Sequence, residues 1–254
     1  MPHIYNAPNL PLTKHAFFGR TGGFSKGIYN SLNFNYRSSD NPQNLIKNLN
    51  VVGAYYGLSG KRIVRLKQAH TAKSVFLDKP SQYQVEADGV VTDKSGMILG
   101  ITTADCIPVL LADYKNGMIG AAHAGWRGAL GGVVENTLKI MLEHGANLHE
   151  IAVATGPCLQ KQNFAVRDDM RDLFIQQDSE NAIFFTPIDN GQYLCDLEQY
   201  VKHRLNLSGV TNVSLSGIDT YDNEKLYFSY RRFCHRNQIK QSGDFGIELS
   251  TICL

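Results

Sequence analysis

The chain has 254 residues, 43% of them hydrophobic, with 23 glycines, enough to bury a sizeable core in one large domain. Its 25 basic and 23 acidic residues leave a net charge of +2 with no long run of either sign, which argues against a nucleic-acid or membrane-surface partner and points to small molecules. No apolar stretch approaches the roughly 20 residues that span a bilayer. The start, MPHIYNAPNLPLTKH, lacks the charged and apolar regions of a secretion signal. The five cysteines are odd in number and form no CxxC pair, so free thiols and a cytosolic location are expected.

In chain order, HAFFGR reads as a strand, TGGFSKG as a glycine loop and IYNSLNFN as a second strand. Asp40 is the expected cap of a helix that has Pro42 in its first turn, Leu45, Leu49, Val52 and Tyr56 at helical spacing, and Gly57 at its stop. RIVRLKQA alternates as a strand and leads to His70, and SVFLD and DGVVTD suggest two more strands. ILGIT, IPVLLAD and MIGAAHA are short branched apolar runs bounded by Asp, Gly or Asn, the pattern of buried strands. Next, GWRGALGGVVENTLKIMLEHG has apolar residues at 130, 133, 134, 138, 141 and 142, predicting an amphipathic helix from about Arg127 that ends before Gly145. The rest alternates: IAVAT as strand, VRDDMRDLFIQQ as helix, AIFFT and QYLCD as strands, LEQYVKHRLNL as helix, VSLSGI as strand, and FGIELSTI as a last strand after the Tyr-rich YDNEKLYFSYRR. With no repeat, linker or low-complexity tract, a single mixed α and β domain over 1–254 is expected.

ILGIT with IPVLLAD, and then MIGAAHA, each carry a metal-competent side chain, Cys106 within the first strand run and His123 at the end of the second, and His70 precedes them in KQAHT. A thiolate and two imidazoles match a zinc site that keeps three protein ligands and one open position. An arbitrary Cys/His triple is far more often a buried small thiol and two unrelated histidines, and the wide spacing here requires the fold to assemble the site. Two other chemistries use the same residues. One is a single blue copper, for which no axial Met is assignable; the other is a cysteine hydrolase with Cys106 as nucleophile and His70 or His123 as base. A multi-copper oxidase needs about ten histidines, and the chain has 8.

KQAH, TADCIPVLLAD and AAHAGWRG, with FFGRTGGFSKGIYNSLN near the start and FSYRR near the end, resemble the YfiH/YlmD family of laccase-domain proteins. Members were once described as polyphenol oxidases and are now regarded as purine nucleoside phosphorylases. The resemblance implies an α/β/β/α sandwich of mixed sheets and one zinc held by His70, Cys106 and His123 beside the substrate. It further implies phosphorolysis of adenosine, inosine or methylthioadenosine, with adenosine deamination in the same site. Some members are described as peptidoglycan-editing factors, and nothing in the sequence separates that role from purine salvage. The HxE and PCxxC signature of cytidine-type deaminases is absent, because Ala72 and Gly125 stand two residues after the histidines.

Phosphate requires an anion site, expected at Arg127 and the amides of GWRGALGG at a helix start. Asn33 of SLN matches a block that looks like the pocket wall. Of Arg231 and Arg232, adjacent on an expected strand, at most one can face a ligand, and Arg231 is taken as the substrate contact. The chain departs from the family at 163–166, where Asn, Phe, Ala and Val replace a YEV-like block, and in SGDFGIELSTI, which replaces a TGR-like ending. A copper-dependent polyphenol oxidoreductase and a non-catalytic nucleoside- or metal-binding module stay open beside the zinc phosphorylase, the latter as a monomer or weak oligomer.

Overall fold

The computed structural model describes residues 1–12, 14–239 and 243–254; Ser242 of SGDFGIELSTI lies outside them. The strands are β1 (Ile4–Tyr5), β2 (His15–Phe18), β3 (Ile63–Lys67), β4 (Ser74–Phe76), β5 (Gln82–Glu86), β6 (Gly89–Thr92), β7 (Ile98–Thr103) and β8 (Ile107–Asp113). There follow β9 (Met118–Ala124), β10 (Ala152–Thr155), β11 (Ala165–Arg167), β12 (Phe185–Ile188), β13 (Gln192–Cys195), β14 (Asn212–Ser214) and β15 (Glu248–Cys253). The helices are α1 (Pro42–Tyr55), α2 (Trp126–Gly131), α3 (Val133–Glu143), α4 (Asp168–Gln177), α5 (Leu197–Leu207) and α6 (Tyr230–Asn237). No helix among the described residues is long and apolar enough to cross a membrane.

Two six-stranded mixed sheets form the centre, ordered β1-β2-β15-β7-β3-β5 and β14-β10-β8-β9-β6-β4, and β11, β13 and β12 make a small third sheet. Alternation along the central strands explains the layers. In β8, Leu110 and Ala112 face Leu99, Ile101 and Val64 of the other sheet, while Val109 and Leu111 face the helical layer with Val133, Leu138, Met141 and Tyr200. On the far side, Ile63, Ile98 and Leu249 pack with Leu49 and Val52 of α1. The architecture is the expected α/β/β/α sandwich, and strands buried on both faces read as continuous apolar runs for that reason.

Several local expectations change. IYNSLNFN is not a strand: a 3-10 turn over Gly27–Tyr29 leads into a segment whose backbone is held by local partners. There Ser31 and Leu32 both donate to the Arg20 carbonyl. Asn41, not Asp40, caps α1, accepting from the Gln43 amide at 2.9 Å, while Asp40 turns inward to the Asn33 side chain. The helix expected from Arg127 is two helices, because Gly132 adopts φ 90° and breaks it. AIFFT is mostly a 3-10 stretch, with strand only from Phe185. FSYRR opens helix α6 rather than a strand, since Ser229 caps it by accepting from Arg232 N–H at 3.1 Å. β5 was not expected, being a polar strand at a sheet edge.

Candidate metal centre and its cleft

β7 and β8 belong to different sheets, so the TADC turn between them crosses from one to the other. Asp105 makes that crossing in the left-handed region at φ 88°, where a short polar side chain is tolerated better than most. Cys106 therefore lies in a turn and not within a strand as expected. His123 is on β9, opposite Pro108 of β8, and His70 follows β3 in a loop, itself at φ 59°. The ligand atoms of His70, Cys106 and His123 lie within 4.8 Å of one another. The Cys106 Sγ to His70 Nε2 distance is 3.8 Å, and the two imidazole centroids are 4.7 Å apart.

Tetrahedral ligands bonded at roughly 2.0–2.3 Å lie about 3.3–3.8 Å apart, so the triad closes on a common ion with movements of about an ångström or less. Among the described residues it is the one group of three or more His, Cys, Asp or Glu side chains placed to do so. Gly125 fits the same picture, because a Cβ there would stand 2.9 Å from His70 Cδ2 and 3.1 Å from Cys106 Sγ.

Asp88 organises this cluster and was not singled out from the sequence. Its carboxylate accepts from the His123 Nδ1–H at 2.8 Å, from the amides of Ala69, His70 and Thr71, and from the Thr71 hydroxyl. One buried group thus fixes the His123 ring, leaving Nε2 as its candidate ligand atom, and shapes the loop that presents His70. Gln68 pins the same loop to β7 by bonding both the amide and carbonyl of Thr102. Burial opposes charge on Asp88, yet the hydrogen bonds from His123 and Thr71 hold its pKa down to about 2. Burial likewise opposes the Cys106 thiolate, but the charge and hydrogen bonds of His123 and His70 lower it to about 6. A metal ligand must be deprotonated; this environment favours that form for the thiol, whereas burial lowers the pKa of His123 but the charges of Cys106 and Asp88 raise it to about 9, a proton that an incoming ion displaces. Burial raises Cys158, Cys195 and Cys253 instead, so those thiols are inert packing groups.

His70 and Cys106 open into a cleft of about 530 Å³. Trp126 and Arg127 form one wall, Phe164 and Arg167 another, and α6 closes it with Tyr230, Arg231, Cys234 and His235. Arg127 is exposed and lays its guanidinium 4.1 Å over the Trp126 ring. Trp126 also packs against the helical core, so it serves both cleft and core. Arg231 donates its amide to Asp105 Oδ2 at 2.6 Å and its guanidinium to the Ala165 carbonyl at 3.1 Å. Arg232 is buried, its guanidinium spent on the carbonyls of Thr220, Tyr221 and Tyr227. Asp105 is spoken for by Thr220 and Arg231 and ties the Cys106 turn to α6.

Asn33 does not line this cleft. It is fully buried and bonded to Asp40, Asn35 and Ile247, which makes it a structural hub of the N-terminal segment. Arg167, Phe164 and His235 line the cleft without having been singled out. No periodic or motif signal marks them, because the fold alone brings β11 and α6 to the His-Cys-His cluster.

The layered sheets with a His-Cys-His cluster at the mouth of a cleft place the chain in a defined class, a two-sheet sandwich with a candidate metal site. Residues 14–254 match the family described as multi-copper polyphenol oxidoreductase laccase, and the chain belongs to it. It is 34% identical over 237 residues to a protein of Deinococcus radiodurans named purine nucleoside phosphorylase, covering 90% of this chain and 87% of that one. It is also 32% identical over 214 residues to the Escherichia coli protein named purine nucleoside phosphorylase YfiH, covering 84% and 86%. Among solved structures, a Neisseria meningitidis protein superposes with a TM-score of 0.86 at 32% identity, over 99% of this chain and 98% of that one. YlmD from Geobacillus stearothermophilus gives 0.84 at 29%, over 94% and 90%.

Proposed function

We propose that this chain is a zinc-dependent purine nucleoside phosphorylase, converting adenosine, inosine or methylthioadenosine and inorganic phosphate to free base and sugar 1-phosphate in the cytosol. The observation that carries this reading is the convergence of His70, Cys106 and His123 on one point, at the edge of a cleft with aromatic and cationic walls. The names of the relatives support it. Two imidazoles and one thiolate suit zinc, with a fourth position open to the cleft. When bound, zinc supplies positive charge that polarises an oxygen placed at that position.

The chain's own residues account for the rest. Phosphate needs cationic donors, and Arg127, Arg167 and Arg231 come to the cleft from three elements. Of the three, Arg231 is already braced by Ala165, so its remaining donors are held ready for an anion. Phe164 and Trp126 offer ring faces for the purine. Charge grows in the sugar as the glycosidic bond breaks, and pre-placed groups stabilise it without rearranging.

A multi-copper centre has too few ligands here, since the described residues offer one triad, and no methionine is among the residues lining the cleft to complete a blue-copper site. The cysteine-hydrolase reading shares the low thiol of Cys106. It predicts rapid alkylation of the purified protein, whereas a metal-bound thiolate is protected.

The test is a panel of nucleosides with phosphate, run on wild type and Cys106→Ala and analysed for free base and sugar phosphate. Phosphate-dependent release by wild type alone supports the proposal, and equal turnover by both proteins removes the triad from the mechanism. Adenosine in the same panel reads the accompanying deamination, which yields inosine without phosphate.

A further inference from the structure

Resting on that reading, phosphorolysis has a second requirement: the departing purine leaves with the electron pair of the broken bond and must be neutralised. Among the described residues lining the cleft, Cys234 is buried and Tyr230 packs its ring against Phe245. His70 and Cys106 belong to the metal cluster, and Asp105 is bonded to Thr220 and Arg231. The arginines hold their protons at any working pH. His235 is different. It is exposed at the cleft, and an imidazole carries a ring N–H that it can pass to a base and recover.

The imidazole is also oriented. Its Nδ1 is 3.0 Å from the Tyr221 hydroxyl, and the two rings meet edge to face with centroids 5.5 Å apart. Tyr221 is fixed in turn, its amide donating to Asp219 Oδ1 at 2.6 Å and its carbonyl accepting from Arg232 at 2.7 Å. With Nδ1 engaged by Tyr221, Nε2 is the atom left for a ligand. On α6, Tyr230, Arg231, Cys234 and His235 share the face that lines the cleft. One turn, about 6 Å of rise, separates Arg231 at the helix start from His235, so an anion-binding donor and a proton donor stand side by side along one wall.

We infer that His235, oriented by Tyr221, is the acid that protonates the leaving purine. A phosphate oxygen bonds to C1′ as the C1′–N9 bond breaks and its electron pair passes to the purine ring. The His235 imidazolium, with Nδ1–H donating to the Tyr221 oxygen, gives its Nε2 proton to ring nitrogen N7. The sugar phosphate then loses its proton to solvent, and His235 regains one, so the overall exchange is balanced. Tyr221 acts as a positioning residue.

The experiment compares inosine with 7-methylinosine, whose N7 already bears a methyl group and whose base leaves as a neutral species without protonation. His235→Gln is expected to lower kcat on inosine about 100-fold with KM within a few-fold, and to leave 7-methylinosine nearly at the wild-type rate. Tyr221→Phe is expected to show the same selectivity with a smaller loss. Equal losses on both substrates, or no loss on inosine, overturn the inference. A wild-type protein that releases no hypoxanthine from inosine and phosphate refutes instead the phosphorylase reading on which it rests.

Discussion

Replacing Asp88 by Asn tests whether one buried carboxylate builds the candidate metal site. The substitution keeps size and shape but removes the charge and puts an N–H₂ group among donors. As a carboxylate, Asp88 accepts from three amides, the Thr71 hydroxyl and His123. An amide has one acceptor oxygen, so two or more of those donors lose their partner. Each buried donor left unpaired costs about 1–3 kcal/mol, and the losses are not additive for groups sharing one acceptor. A destabilisation of about 2–4 kcal/mol follows, which for a protein of this size lowers Tm by about 5–15 °C. Metal affinity is expected to fall about 10–100-fold because the His123 ring and the His70 loop lose their support. Thermal unfolding of the metal-free proteins and zinc titration against a chromogenic chelator measure the two effects separately. If Asp88→Asn melted within about 2 °C of wild type and bound zinc equally well, the organising role assigned to Asp88 would be refuted.

Gly125→Ala places a methyl against His70 and Cys106 and is expected to weaken zinc binding at least about tenfold while leaving the far-ultraviolet spectrum unchanged; unaltered affinity contradicts the geometry. Glu248 is buried with one oxygen unpartnered, and burial pushes its carboxyl well above the usual range. A raised folded pKa means that its contribution to stability is fully present below the unfolded value and is lost as pH rises toward the folded one. Glu248→Gln should therefore melt higher than wild type at pH 8 and nearly level with it at pH 4, and a gap independent of pH sinks the argument. Leu110 is fully buried between the sheets, so Leu110→Ala should cost about 2–5 kcal/mol in urea unfolding, against near neutrality if the sheets were loosely packed.

The sandwich was legible because its central strands are buried on both faces, and continuous runs such as IPVLLAD advertise that state. β5 carries QYQVE at an edge, where no such pressure acts on composition. The single helix expected after AHAGWRG was a fair reading of apolar spacing, but periodicity does not report φ, and Gly132 turns left-handed. In the site, family blocks pointed to His70, Cys106 and His123 together, and the structure gathers them. The same blocks suggested Asn33, whose donors and acceptors are all spent within the fold. Asp88 and His235 escaped notice for a common reason. Their significance lies in partners 17 to 35 residues away in one case and in a place on the cleft lining in the other, and a lone Asp before a strand or a lone His on a helix carries no local sign of it.

Zinc-edge X-ray absorption on the purified wild-type protein tests the centre most directly. One equivalent of zinc is expected, bound by two imidazole nitrogens at about 2.0–2.1 Å, one sulfur at about 2.3 Å and one further light atom, with the sulfur shell gone in Cys106→Ser. A protein that carries no tightly bound zinc, or whose zinc shell lacks sulfur, would contradict it.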